Sequence, residues 1–259
     1  MKIKTYLQQL QKLIPGDWLK QMQYIHSTLL VRWILHWGSQ PLAFTQKSAM
    51  VFSPHQDDET FGCGGMIARK REQQIPVSVV FLTNGQGSAD TDAESRQKIM
   101  QTRKEEAVKA LNILGVEISE IHFLDKADGG LRDLKTEEKQ EAIAKISELI
   151  KYYQPGEVYV PHKNDCHRDH EATYHLVKAA IEQTKLQVEL LQYPIWLFWR
   201  SPLFIMLKFS DIAAAYYFSI AAVQQKKNQA IASYISQLQS LPNGFVNRFL
   251  SSYEIFFKE

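Results

Sequence analysis

Short apolar runs alternate with longer segments of helical periodicity through the middle of the chain. Four apolar runs predict strands, at residues 49–53, 77–82, 118–124 and 158–160. Helical patterns predict helices between and after them, at residues 64–73, 95–114, 136–153 and 171–184. The run at 77–82 is almost wholly apolar, as in a parallel sheet that is buried on both faces. This alternation predicts an α/β fold with a mainly parallel central sheet.

The two ends of the chain depart from this alternation. Apolar residues at helical spacing predict two additional helices in the first 45 residues, separated by Pro15 and Gly16. Near the other end, residues 226–238 predict a helix, and a short segment closes the chain. We therefore expect a single α/β domain over residues 1–259. Its expected parts are an N-terminal helical extension (1–45), a core (46–200), and C-terminal helices with a closing segment (201–259).

The second N-terminal helix carries large apolar residues near one face, among them Trp18, Ile25 and Trp33, and residues 196–218 are also rich in aromatic side chains. Packing against the core is one explanation for both groups. A transient contact with a membrane or a partner is the other, because tryptophan and tyrosine are enriched at interfaces.

Composition limits the classes of function. The chain has 259 residues, of which 45% are hydrophobic, and its formal net charge is +2. Because there is no strongly basic stripe, the sequence does not predict a nucleic-acid partner. No uncharged apolar stretch reaches the roughly 18 residues that a membrane-spanning helix needs. The cysteines, Cys63 and Cys166, do not predict a disulfide framework, and no secretory signal is evident, so we expect a cytoplasmic protein, membrane-peripheral at most.

A histidine and three consecutive acidic residues follow the first predicted strand. Residues 54–59 read PHQDDE. Adjacent carboxylates repel one another, so a plain turn has little reason to contain three of them. Capping of a helix N-terminus is one explanation for Asp58 and Glu59. The other is a metal and proton-transfer site, in which His55 and Asp58 are ligands and Asp57 is a general base.

A second polar cluster follows the fourth predicted strand. Residues 161–171 read PHKNDCHRDHE, and four of the eight histidines fall between His162 and His175. Both clusters leave a strand at the same edge of a parallel sheet, which is where ligands bind in α/β folds. His167 and His170 are three residues apart, so they share a face of a helical turn. Together the two clusters predict a metal or catalytic site.

Two histidines and one carboxylate form a ligand set that suits Zn²⁺ or Fe²⁺. With His55, Asp58 and His170 as ligands, the metal would activate water and polarise a carbonyl, and Asp57 would take the proton. His167 would support the developing oxyanion or protonate the leaving amine.

The two clusters together resemble the motifs of the LmbE/PIG-L family of metal-dependent de-N-acetylases. The first family motif is of the Ala-His-Pro-Asp-Asp-Glu type, and here Gln56 replaces its proline. The second, His-x-Asp-His, matches residues 167–170. Weaker motifs extend the resemblance over most of residues 48–257. The resemblance implies a Rossmann-like three-layer fold and activity on N-acetylglucosamine conjugates.

The resemblance also implies roles for individual residues. The implied ligands of Zn²⁺, or of Fe²⁺ or another divalent metal, are His55, Asp58 and His170. Asp57 would be the base, and His167 the acid or an electrostatic partner. Asp169 would orient a neighbouring histidine. Arg103 would face the site from its helix, with a surface salt bridge as the alternative.

The sequence therefore predicts a zinc-dependent amidohydrolase that removes an acetyl group from an N-acetylglucosamine-type sugar conjugate. One alternative is a non-haem Fe²⁺ enzyme, which also uses two histidines and a carboxylate. Another is a non-catalytic sugar-binding protein. The expected partner is a small-molecule or glycolipid amino sugar, and the sequence leaves the oligomeric state open.

Overall fold

Eight strands pair into one sheet within the described residues, 15–87, 92–200 and 214–259 of a computed structural model. In chain order the strands are β1 (Ser39–Pro41), β2 (Ala49–Ser53), β3 (Val77–Thr83), β4 (Ile121–Lys126), β5 (Glu157–Pro161), β6 (Glu189–Tyr193), β7 (Ala215–Ser219) and β8 (Tyr253–Lys258). Their order across the sheet is β1-β7-β8-β6-β5-β2-β3-β4. Strand β8 is antiparallel to both of its neighbours, and the other neighbouring pairs are parallel.

Helices cover both faces of this sheet. The described helices are α1 (Gly16–Trp33), α2 (Asp58–Glu72), α3 (Ala93–Leu114), α4 (Thr136–Tyr153), α5 (Arg168–Thr184), α6 (Leu197–Arg200), α7 (Gln224–Ile231), α8 (Ile235–Leu238) and α9 (Asn243–Asn247). Ala49 and Val51 of β2 pack with α2 and α3, whereas Met50 and Phe52 pack with α4 and α5. Successive side chains of a strand point to opposite faces, so one buried strand serves both cores. The predicted three-layer α/β fold is confirmed.

The chain reverses its direction of travel across the sheet between β2 and β5. It runs outward from β2 to β3 and β4, and then returns to add β5 and β6 on the other side. Such a switch point leaves a crevice at the carboxyl ends of the two central strands. The two polar clusters follow those two strands.

The predicted start of α2 was wrong. The prediction places the start of the helix at residue 64, but the helix begins at Asp58, and the glycines lie inside it. A Cβ on Gly62 would lie 2.3 Å from Cδ2 of Tyr193, and one on Gly65 would lie 2.4 Å from Cγ2 of Ile220. The glycines therefore allow close packing of the helix, and they do not mark its beginning.

Three other predicted boundaries also differ. Helix α5 begins at Arg168, which places Asp169 and His170 in its first turn. The strand predicted at 118–124 begins with a 3₁₀ turn, Ile118–Glu120. The helix predicted at 226–238 is two helices, because α7 ends at Ile231 and α8 begins at Ile235.

The ends of the chain add strands that the sequence did not predict. Strand β1 lies within the predicted helical extension and pairs with β7, and the closing segment becomes β8. Helix α1 matches the second predicted N-terminal helix, whereas the first lies outside the described residues. None of the described helices is long and apolar enough to cross a membrane.

Candidate metal and catalytic site

The loop after β2 is held by hydrogen bonds to its neighbours. The backbone N–H and the hydroxyl of Thr83 both donate to the carbonyl of Pro54, at 3.1 and 2.7 Å. Gln56, which replaces the proline of the family motif, is buried, and its amide donates to the carbonyl of Thr83 at 2.7 Å. Asp57 occupies the N-cap position of α2 without a side-chain capping bond, and its φ of 155° is uncommon for a residue with a side chain. The loop thus has a defined conformation next to β3.

The Asp58 carboxylate lies between two histidines, one from each polar cluster. Its Oδ2 is 3.0 Å from Nδ1 of His55 and 3.2 Å from Nε2 of His170. The side chain of Asp58 is almost fully buried and that of His170 fully so. The structure therefore brings together the three residues predicted to bind a metal.

The two ring nitrogens of His170 each face a different carboxylate. Nδ1 bonds to Oδ2 of Asp165 at 2.7 Å, so in the neutral ring Nδ1 carries the hydrogen and Nε2 keeps its lone pair. Nε2 is buried and makes no hydrogen bond with any described residue. Burial would lower the pKa of His170, but the charge of Asp58 and the bond to Asp165 raise it to about 9. A raised pKa favours a proton on Nε2, facing Asp58, and a bound metal cation would take the place of that proton.

His55 is surrounded by carboxylates. Its Nε2 lies 3.2 Å from Oδ1 of Asp128 and 3.3 Å from Oδ2 of Asp169. Burial would lower the pKa of His55, but the bonds to Asp128, Asp169 and Asp58 raise it well above 6.5. Asp169 also accepts the N–H groups of Gly129 and Leu131, at 2.7 and 3.1 Å. Asp169 thus contacts both His55 and the loop after β4.

His167 is the N-cap residue of α5. Its Nδ1 accepts the backbone N–H of Asp169 at 3.3 Å, so the neutral ring carries its hydrogen on Nε2. Its ring centroid lies 5.0 Å from that of His55 and 4.7 Å from that of His170. The side chain therefore adjoins the two predicted histidine ligands and can donate a hydrogen bond.

Asp57 and Arg103 line the cavity beside these histidines. The carboxylate of Asp57 has no hydrogen-bond or ion-pair partner in the part of the chain that the structure describes. Burial and the adjacent charge of Asp58 raise the pKa of Asp57 well above its usual value. Arg103 reaches the site from α3, where Nη1 lies 3.5 Å from Oδ2 of Asp128.

The donor set of this site fits a divalent metal. Imidazole nitrogens of His55, His167 and His170 lie within 4.8 Å of one another, and a second such group contains His55, Asp128 and Asp169. Mixed histidine and carboxylate donors suit zinc and related transition metals. Asp58 is in neither group, and its place among the candidate ligands depends on its contacts with His55 and His170.

The site opens into a cavity of about 200 Å³. Residues from the C-terminal part form one wall, including Trp196, Leu241 and Phe245. The rings of Trp196 and Phe245 are stacked, with centroids 4.3 Å apart and planes inclined by 21°. The cavity can therefore accept a ligand with an apolar face beside the polar cluster.

The sequence prediction assigned no role to two residues of the site. Asp165 accepts hydrogen bonds from the backbone N–H groups of residues 195–197, at 2.8 to 3.0 Å, in addition to its bond to His170. Asp128 contacts His55 and Arg103. Asp165 lies within the second cluster, so its position was an available signal, whereas Asp128 follows a different strand.

Residues 50–181 match the protein family described as PIG-L: GlcNAc-PI de-N-acetylase. The uncharacterized deacetylase YaiS of Escherichia coli is 27% identical over 191 residues, which cover 71% of this chain and 92% of YaiS. A probable N-acetyl-alpha-D-glucosaminyl L-malate deacetylase 2 of Bacillus subtilis is 30% identical over 153 residues, 54% of this chain and 63% of that protein. The 4-oxalmesaconate hydratase of Pseudomonas putida is 30% identical over 142 residues, 52% of each chain.

Solved structures share the fold over most of the chain. The N,N'-diacetylchitobiose deacetylase of Pyrococcus horikoshii has a TM-score of 0.61 at 19% identity, covering 82% of this chain and 84% of that one. The zinc-inhibited form of teicoplanin deacetylase Orf2 has a TM-score of 0.63 at 16% identity, covering 82% and 97%. The family match at 50–181 includes both polar clusters and the four strands that place them, and the chain therefore belongs to the PIG-L family, described as GlcNAc-PI de-N-acetylase.

Proposed function

We propose that the protein is a metal-dependent N-deacetylase that hydrolyses the acetamide of an N-acetylglucosamine-type conjugate. One observation carries the proposal: Asp58 lies between His55 and His170, while the unbonded carboxylate of Asp57 lines the adjoining cavity. The family description and the names of the Bacillus and Pyrococcus proteins support an amino-sugar substrate.

His55, Asp58 and His170 would hold the metal. Zinc fits this ligand set, and Fe²⁺ or another divalent metal is the alternative. The metal would supply Lewis acidity toward the amide carbonyl and toward water.

The chain itself would move the protons. Asp57 would accept a proton from the attacking water, since its carboxylate has no competing partner among the described residues. The hydrogen on Nε2 of His167 would stabilise the oxyanion and then protonate the amine as the C–N bond breaks. Water and the acetamide are consumed, and acetate and a free amine are released. Asp169 would keep His55 in place, and Arg103 would hold Asp128.

Trp196, which is partly exposed and is backed by the buried ring of Phe245, would receive the rest of the substrate. Sugar rings have an apolar face of axial C–H groups, which packs well on aromatic side chains. Asp57 and Trp196 line the same cavity, so the acetamide would lie next to Asp57 while the sugar ring contacts Trp196.

Hydration of a carbon–carbon double bond is the second candidate, because the Pseudomonas relative is a hydratase. Both reactions add water with help from a base. The parallel α/β sheet does not support an iron oxygenase, which usually has a β-rich jelly roll. The retained acids and histidines argue against binding without catalysis.

The test is to incubate the protein and divalent metal with N-acetylglucosamine, with a diphosphate-linked form and with a lipid-linked form. We expect acetate and primary amine in equal amounts from at least one conjugate. An unsaturated dicarboxylate is the comparison substrate, followed by loss of ultraviolet absorbance. Hydration without amine release from any sugar would contradict the proposal and favour the second candidate.

We also propose that the chain forms one domain and acts in the cytoplasm. One sheet contains strands from each of the three expected parts, which supports a single domain. Cys63 and Cys166 form no disulfide within the described residues, which fits a reducing compartment.

A further inference from the structure

Helix α1 presents an apolar stripe on its outer side. Trp18, Met22, Ile25 and Leu29 are spaced by four, three and four residues, so they share one face. Their exposed fractions are 73, 37, 49 and 61%. Single exposed apolar residues are normal, but a continuous row of them marks an interaction surface.

The opposite face of α1 already attaches the helix to the rest of the protein. Leu30 and the following Ile34 are buried in a cluster with Leu197, Phe198 and Phe257. The outer stripe is therefore additional to the packing that holds the helix. Trp37, which is 79% exposed, lies in the π-helical turn Ile34–Gly38 that continues the helix.

The charge of the chain is unevenly distributed. The first 48 residues contain six lysines or arginines and one acidic residue, Asp17, whereas the remainder contains 24 basic and 27 acidic residues. Arg32 is exposed and lies beside the stripe on the helix. The stripe is thus in the positively charged part of a nearly neutral chain.

We propose that the outer face of α1 is a docking surface for an anionic lipid bilayer. An interfacial helix buries aliphatic side chains at the acyl boundary, places tryptophans at the headgroups and attracts anionic lipid with lysine and arginine. The stripe has the first two features, and the charge of the N-terminal part gives the third. Because the helix contains 18 residues, it presents about 27 Å of surface to the bilayer.

The docking surface is connected to the cavity of the site. Tyr24 packs so closely on Gly244 that a Cβ there would lie 2.6 Å from its ring. A groove beside α1, lined by Lys20, Tyr24 and Leu241, shares Leu241 with the site cavity. Docking would therefore bring the rim of the cavity to the lipid surface. The value of this placement for catalysis rests on the proposed function, whereas the docking proposal does not.

The test is cosedimentation of the full chain with vesicles of phosphatidylcholine, with and without phosphatidylglycerol. We expect binding to the anionic vesicles that is at least about tenfold tighter than to neutral ones and is weakened by salt. The double variant Ile25→Gln/Leu29→Gln should bind at least about tenfold more weakly, because two buried aliphatic side chains are lost.

The matched control is Ile118→Gln/Ile235→Gln, which changes two residues that are 71 and 58% exposed elsewhere. It should bind as the unchanged protein does. Absence of binding to anionic vesicles, or equal binding by the two double variants, would overturn the proposal. The proposal would also be overturned if the unchanged protein formed a concentration-dependent dimer and Ile25→Gln/Leu29→Gln did not. A second copy of the chain would then cover the stripe. A lower melting temperature of that variant without vesicle binding would show that the chain covers its own stripe.

Discussion

Asp57 and Asp58 are adjacent in the chain, but their surroundings shift their pKa values in opposite directions. Burial and the charge of Asp58 raise the pKa of Asp57. For Asp58, burial is outweighed by the charges of His170 and His55, which lower its pKa below the usual range. Enzymes give two carboxyl groups different tasks by placing them in surroundings that separate their pKa values. A cation at Asp58 would lower the pKa of Asp57 and favour its basic form.

Replacing Asp57 with asparagine should separate catalysis from metal binding. Asp57→Asn should keep the metal and lose activity by roughly 10²–10⁴-fold, the usual contribution of a general base. Metal content by elemental analysis and acetate release are the two measurements. Asp125→Asn is the control, because that residue is exposed and its φ of 52° suits asparagine. Activity of Asp57→Asn near that of the control would show that Asp57 is not the general base.

Asp165 should act through His170. Its carboxylate accepts from the ring and from three backbone N–H groups of the segment that carries Trp196. Asp165→Asn should weaken metal affinity by about 10–100-fold, as expected when the partner of a ligand histidine is lost. Competition with a chelator measures this. The control, Asp133→Asn, removes an exposed ion pair with Arg168 near the same histidine. Equal affinities in the two variants would exclude a positioning role for Asp165.

At the scale of elements, the glycines of α2 determine how closely that helix packs. Alanine normally stabilises a helix interior by about 1 kcal/mol relative to glycine. At Gly65 we expect the opposite, a loss of about 1–3 kcal/mol, because the new Cβ would overlap Ile220. Urea unfolding of Gly65→Ala measures the loss. Gly16→Ala is the control, since no atom of the described residues lies within 4 Å of the added atom. A gain in stability for Gly65→Ala would refute the packing argument.

The central strands were predictable because strands buried on both faces are continuous apolar runs, as at Val77–Thr83. The start of α2 was not predictable, because the glycine content of the helix reflects contacts with Tyr193 and Ile220, far away in the sequence. Strand β8 escaped prediction because its position between β6 and β7 depends on the whole sheet.

The same difference between local patterns and long-range contacts applies to the residues of the site. His55, Asp58 and His170, which the structure brings together, were predicted as ligands from local motifs whose spacing is visible in the sequence. The contacts of Asp128 with His55, and of Asp165 with residues 195–197, join loops from different strands. Such contacts depend on the topology of the sheet, so a single sequence does not reveal them.

At the scale of the whole molecule, the switch between β2 and β5 explains why two distant motifs form one site. Each motif follows one of these neighbouring strands, and the first turns of α2 and α5 carry Asp58 and His170. Helix α1 and strands β7 and β8 lie outside the family match at 50–181. The chemical groups thus belong to the family part, while the aromatic wall and the apolar stripe belong to the added parts.

The most direct test of this account is to remove all metal and then titrate Zn²⁺ back while acetate release is measured. Activity and bound metal should rise together and reach a maximum at about one equivalent per chain. His170→Ala should lose both, because it removes the buried nitrogen that faces Asp58. Undiminished acetate release by the metal-free protein, or full metal occupancy in His170→Ala, would contradict the account.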